Sequence, residues 1–592
     1  MILGTILVLL TWIVFLGLIT VLGLALTLGR SGRTGRPLIN LDKLRVSLWW
    51  GFSALILVIL AVNLWYPLKS PEAAIVLGIV FIAALAFVLY RRPELGPLKG
   101  DKNSLLLIGI SAPIVLSTLF LAFAALGPVT NYDSGLYHLG AIKYSGDFST
   151  ITGLANLYFP LGYNTSLYPF AAFLDNGPWG SEGYRLANGL IVSLVAMDII
   201  FRLIATRGKL KRLTAGSWIL ITALLIGLVP IVALSDYWVT SPSSDAPVMI
   251  LTFAACAYLA DGVIGSRGNA RNLATTFVIA VILFSLRPTM AIFLIGITVV
   301  IMLTLIRMRT HFQRRPSYLP LISAAVLGLM TLAIQSIRDY FLSGWIQFPL
   351  SLYSFNTPWT AEDPVWNRTA TLGNARNPAD IWGSIDGYEW IGPWLSRLPY
   401  QWETFLLVTL LIALLVLIGI AKLTGISLRC GTLVLIMIPS LLSSVTWFLI
   451  SPPAFRFGWG PIFSLLLIPF GITLFNLSKQ SPRGTRIRRV APGSILVLTL
   501  GLLAVTGYTA ALRLPKLIDP YPAYFTLGEF SLEYQLTPVV DVPVEDRVLP
   551  SGLVITVPTQ SDQCWDNYPL CTPIVSESVR LRGAGIQDGF LP

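Results

Sequence analysis

Along this chain, apolar residues come in long, nearly uncharged blocks separated by short polar segments. A helix rises about 1.5 Å per residue, so a block of roughly 20 apolar residues is what a membrane crossing needs. The pattern predicts about 14 such spans. They fall near residues 2–28, 46–66, 72–90, 103–126, 184–204, 214–235, 246–264, 273–286, 288–306, 318–342, 401–421, 430–449, 459–477 and 493–512. The first block is too long for a secretory signal and has no basic segment before it, so it is expected to remain as an anchor. The segment before Arg287-Pro288 is short for a full crossing, which leaves a broken helix as the alternative there.

Composition sharpens this picture. Of 592 residues, 55% are hydrophobic and 12% charged, and the mean hydropathy is +0.74. A soluble domain carries about 25% charged residues. A soluble enzyme, a disordered chain and a collagen-like fibre are therefore excluded, and an all-α polytopic membrane protein is expected. The net charge of +12 is distributed as a topology signal. Arg30, Arg33, Arg36, Lys43 and Arg45 follow the first span, and RGKLKR (207–212), RMRTHFQRR (307–315) and RGTRIRR (483–489) follow later ones. On this count both termini are extracytoplasmic, and about two thirds of the 41 Lys and Arg face the cytoplasm. Membrane lipids, not nucleic acid, are the expected partner of this charge.

The same topology places 127–183, 236–245, 343–400 and the tail 513–592 outside. Three regions are expected: N-terminal transmembrane helices (1–102), a main transmembrane domain (103–512) and the tail (513–592). The tail contains a strand-like GLVITVP (552–558) and QCWDNYPLC (563–571), and it is expected to pack on the membrane domain. Cys564 and Cys571 fit a local disulfide on an oxidising side, with two free thiols as the alternative. With four Cys and two His in all, a zinc cluster is not expected.

Candidate chemistry lies in the outside segments. In GPVTNYDSGLYHLGAIKY (127–144), Asp133 stands just beyond a span, where a carboxylate can take a proton from a hydroxyl. His138 can hold Asp133, donate to a phosphate or help ligate a metal. Asn131, Tyr132 and Tyr137 offer sugar-type hydrogen bonding and stacking. The competing role for Asp133 or Ser134 is an ordinary helix cap. In SDYWVTSPSSDAPVMI (235–250), Asp245 sits where the chain re-enters the membrane, and it too is a candidate cap. Arg287, Arg338 and Arg456 lie near outer span ends and offer donor forks suited to phosphate; Asp339 beside Arg338 makes a structural pair the alternative there. Trp345, Trp359 and Trp390 can form a sugar-stacking lid or simply lie buried at the membrane surface. At the other helix ends, Asp198 and Asp261 read as solvated or paired with arginines. No Walker-type loop, HExxH or GxSxG motif in a suitable context is present.

NYDSGLYHLGAIKY, SPSSDAP, SLRPT, IRDYFLSGWIQFPL, FRFGWG and the ending QCWDNYPLC…VRLRGAGIQDGF occur in that order. In this combination the chain resembles a poorly characterised family of bacterial polytopic membrane proteins. That family in turn resembles the GT-C glycosyltransferases, such as the protein O-mannosyltransferases and aminoarabinose transferases. The resemblance implies a GT-C-like bundle in a bacterial plasma (inner) membrane, and a sugar donor linked to polyprenyl phosphate. It also implies transfer to an extracytoplasmic glycan, lipid or protein, with Asp133 in the place of the loop's acidic residue. Many superfamily members carry two adjacent acids, whereas Asp133 is followed by Ser134. Either Asp245 supplies the second acid for a divalent cation, Mg or Mn, or no metal is used. Readings of other classes stay open: a non-catalytic structural subunit, and a transporter or flippase for a lipid-linked glycan.

Overall fold

The structure, a computed structural model, describes residues 1–29, 37–96, 105–206, 210–233, 235–265, 270–311, 318–423, 425, 430–479, 508, 511 and 521–592. Arg30, Arg33, Arg36, the 483–489 cluster, parts of the 207–212 and 307–315 clusters, and nearly all of the predicted span 493–512 lie outside them. Every other predicted span falls on a helix.

The chain opens with α1 (Ile2–Thr27), α2 (Leu41–Asn63), α3 (Pro71–Tyr90) and α4 (Leu105–Ala124). Three short helices follow: α5 (Leu139–Asp147), α6 (Leu154–Leu157) and α7 (Leu167–Asp175). The bundle resumes with α8 (Ala187–Ala205), α9 (Ala215–Ala233), α10 (Asp245–Ile264), α11 (Ala270–Leu286), α12 (Ala291–His311) and α13 (Leu319–Ser343). After α14 (Val365–Arg376) and α15 (Ile391–Arg397) come α16 (Trp402–Leu423), α17 (Cys430–Leu449) and α18 (Phe455–Lys479). Among the described residues, ten helices are long and apolar enough to cross a membrane. This is a multi-pass membrane protein.

Packing follows from side-chain size. α1 and α2 approach until backbone meets backbone: a Cβ on Gly51 would stand 1.7 Å from Ile19 O, and one on Gly23 1.7 Å from Ser47 O. Small residues permit such contact where apolar burial alone cannot drive helix association. α10 is enclosed along nearly its whole length, whereas α3 and α16 leave most of theirs to face lipid. At one end of the bundle, Asp198 and Asp261 are not solvated. Both are buried on Arg202, whose Nε and Nη1 donate to them at 2.6 Å. Trp49 Nε1 and Tyr258 OH complete the Asp198 shell at 2.6 and 2.8 Å.

The opposite end gathers the segments between α4 and α8, between α13 and α16, and the tail. The tail forms two antiparallel hairpins, Tyr521–Leu527 with Phe530–Leu536 and Val544–Val548 with Val554–Pro558. It is fastened by Thr537 N to Leu126 O (2.9 Å), Thr526 N to Pro178 O (2.7 Å) and Phe590 N to Thr152 O (2.9 Å). Trp179 packs edge-on against Phe525 and Tyr534.

Replacing Gly51 by Val forces α1 and α2 apart, at a cost of about 1–3 kcal/mol or more. The apparent Tm in detergent falls accordingly, while Gly17→Ala, which meets open space, leaves it unchanged. Equal Tm values for Gly51→Val and wild type would contradict the packing.

Candidate functional site

The first turn beyond α4 is set by Asn131. Its Oδ1 accepts from Asp133 N at 2.9 Å, and its Nδ2 reaches Tyr237 O at 3.4 Å. Asn131 is fully buried. It therefore does the capping that the sequence offered to Asp133. Released from that task, Asp133 makes no capping bond. Its Oδ2 instead faces Arg456 Nη1 at 3.5 Å. A five-residue π-turn, Ser134–His138, leads on into α5.

Asp245 opens α10 and also has an arginine partner rather than a capping role. Arg287 Nη2 pairs with Asp245 Oδ1 and donates to Ser244 Oγ at 2.9 Å, while Ser243 Oγ donates to Asp245 Oδ2 at 2.7 Å. Pro288 explains the arginine's placement. The residue before a proline is driven out of the helical region, and Arg287 is extended (φ −150°, ψ 111°) as α11 stops. Arg287 Nη1 also touches Arg456 O at 3.4 Å, which joins the two ion pairs. Asp133, Arg456, Arg287 and Asp245 form one charge cluster. The Arg456–Asp133 side chains are 34% and 25% exposed, against 12% and 6% for Arg287–Asp245. The first pair is thus the one a substrate can meet.

Burial raises the Asp133 carboxyl above its usual range; Arg456 opposes this, nearby Asp245 adds to it, and Arg287 opposes it. Burial also holds the His138 imidazole down to about 3. His138 is therefore neutral at ordinary pH, with Nδ1 3.1 Å from Ser134 Oγ and one ring N–H still available to donate. Tyr137 packs edge-on against His138 and Tyr163, with ring centres 4.6 and 5.4 Å away. Its phenol is raised well above the ordinary value, chiefly by burial, and stays protonated.

Arg338 stands apart. It is buried, with Nη1 donating to Asn63 Oδ1 (2.8 Å) and Thr150 Oγ1 (2.7 Å) and Nε to Asn164 Oδ1 (3.3 Å). It braces α13 against α2 and the loops. Nor do the expected lid tryptophans face outward as a set. The ring N–H groups of Trp345, Trp359 and Trp390 donate to Ala361 O, Tyr340 O and Gly387 O, and Trp390 is fully buried. The disulfide Cys564–Cys571 is present.

Sequence reading missed Asn188 and Tyr168. Asn188 Nδ2, from α8, is shared by Trp238 O, Ser241 O and Ser243 O at 3.0, 3.1 and 2.8 Å, which fixes the turn that delivers Asp245. Tyr168 lies 5.5 Å from the His138 ring. An asparagine early in an apolar helix was the available signal for the first; nothing local marked the second.

A family model described as Domain of unknown function (DUF8201) matches residues 5–463. The chain belongs to the DUF8201 family. No curated protein and no solved structure matches it. The DUF8201 match takes in all four charged residues of the cluster and ends inside α18, so the tail lies beyond it.

Asn188→Ala leaves three carbonyls without their shared donor, at a cost of about 1–3 kcal/mol. The expected result is a lower apparent Tm in detergent, and an unchanged one would contradict this role for Asn188.

Proposed function

We propose that the protein is a membrane glycosyltransferase of GT-C type, with about 14 crossings and both termini extracytoplasmic. It moves a sugar from a polyprenyl-phosphate donor to an extracytoplasmic glycan, lipid or protein hydroxyl. The observation that carries this reading is a partly exposed carboxylate, Asp133, facing one arginine of a two-arginine cluster at a span end.

In this reading Asp133 accepts the proton of the acceptor hydroxyl as its oxygen bonds to the anomeric carbon. The bond from that carbon to the donor phosphate breaks with inversion, and Arg456 and Arg287 take up the leaving charge. Tyr137 supplies a neutral phenol for sugar hydroxyls. A resident Mg or Mn ion is not part of the proposal. Asp133 and Asp245 already face guanidinium groups, and among the described residues no cluster of three or more His, Cys, Asp or Glu suits a metal.

The test is transfer of radiolabelled sugar from a synthetic short-chain polyprenyl-phosphate donor by purified protein. Asp133→Asn should lower turnover by roughly 100-fold or more. Its Tm should change little, since Asn131 does the capping. Wild-type turnover should fall with decreasing pH as Asp133 takes up a proton, and the raised pKa starts that loss at a higher pH than an ordinary aspartate would. Full activity in well-folded Asp133→Asn protein would sink the assignment of Asp133.

A further inference from the structure

The disulfide loop of the tail lies directly on the turn that carries Asp133. Trp565 N donates to Gly135 O at 2.9 Å, and Gln563 Nε2 donates to Tyr132 O at 2.7 Å. Tyr132 OH donates to Asp562. About two helical turns further along, Lys143 pairs with Asp566 at 2.5 Å and Tyr144 OH accepts from Leu570 N at 3.2 Å. The fit is closest at Gly135: a Cβ there would lie 2.6 Å from Trp565 Cε2, 2.8 Å from Cδ2 and 2.9 Å from Gln563 Nε2. The turn on the other side of these contacts is a π-helical one, Ser134–His138, a form that is rare and occurs mostly as single turns at functional sites. Gly135 O within the turn, and Tyr132, Lys143 and Tyr144 on either side of it, are thus held from outside by residues more than 400 positions away in sequence.

We propose that Trp565, held by the Cys564–Cys571 loop, is a positioning residue that presents Asp133 to Arg456. The loop's ends are tied covalently, so its contacts fall on the turn as one rigid patch. Without the bond, ordering the eight residues from Cys564 to Cys571 costs conformational entropy that only the docking contacts can offset. The site is therefore complete only after the tail has folded and oxidised. That makes oxidation of one cysteine pair a condition for function, and it ties the chemistry to the oxidising side of the membrane. The role of the loop rests on the proposed transferase reading only where turnover is measured; its hold on the turn does not.

Hydrogen exchange of the purified full-length protein, read by mass spectrometry, tests the hold directly. Reduction, or the double substitution Cys564→Ser/Cys571→Ser, should speed exchange of amides 132–144 by about tenfold or more while α10 stays protected. Faster exchange in 561–571 with no change in 132–144 would overturn the proposal. If reduction loosens the whole bundle, Trp565→Ala with the disulfide intact decides between the same two outcomes. Gly135→Ala adds a second check. Its effect on exchange should be large in the wild type and clearly smaller in the Trp565→Ala background, because the two nearest atoms it meets are those of that ring and the third, Gln563 Nε2, ends a flexible side chain. Additive effects would count against the contact. In the transfer assay Trp565→Ala should lower kcat by about tenfold with the donor KM little changed, as expected when an interaction specific to the transition state is lost. A wild-type protein that transfers no sugar would remove the transferase reading and leave the exchange result standing.

Discussion

Charge at a membrane boundary must be neutralised where it stands. In a low-dielectric setting an unpaired guanidinium or carboxylate costs several kcal/mol, on the order of the whole stability of a domain. Asp133, Asp245, Arg287 and Arg456 satisfy this by alternating in sign, with Arg287 Nη1 on Arg456 O as the link between pairs. Much of the local architecture serves that arrangement. Pro288 breaks α11 so that Arg287 can turn. Asn188 fixes the turn before α10, and Asn131 frees Asp133 from capping. The bundle meets the same requirement at its other end with Arg202 between Asp198 and Asp261, but there the groups are sealed and nothing can approach them. The difference in exposure between the two clusters is what separates a candidate site from a structural one.

The spans were legible because membrane insertion is decided by a property each segment carries by itself, its hydropathy over about 20 residues. Secondary structure near the site was less legible, because a cap is chosen by geometry and not by residue type alone. Asn131, Asp133 and Ser134 all cap well in principle, and only the fold shows that Asn131 does so. Arg338 illustrates the same limit. Its position near a span end resembles that of Arg287, yet its partners Asn63, Thr150 and Asn164 come from three distant segments. The pairing of Asp133 with Arg456 spans 323 positions and left no local trace. Cys564 and Cys571 were legible as a pair because they lie seven positions apart and the tail was already assigned to one side.

The DUF8201 match, covering residues 5–463, contains the charged cluster but not the tail that covers its turn. The charged cluster and the segment that covers its turn thus lie in different parts of the chain. Asp245 and Arg456 stand in the first turns of α10 and α18 and Arg287 in the break after α11, while Asp133 sits on a short turn whose outer face is closed by the tail. In the proposed function, a carboxylate on such a turn gains reach toward a substrate at the membrane surface and loses rigidity, which the tail contacts would restore.

The central claim is that the Arg456–Asp133 pair and its Arg287 neighbour recognise a phosphate at the membrane surface. The most direct measurement is equilibrium binding of a short-chain polyprenyl phosphate to the purified protein and to Arg456→Gln. Binding to the wild type should be saturable, and about tenfold or more weaker in the variant, as loss of a charge-assisted hydrogen bond entails. Equal affinity in the two proteins, or no binding to the wild type, would contradict it.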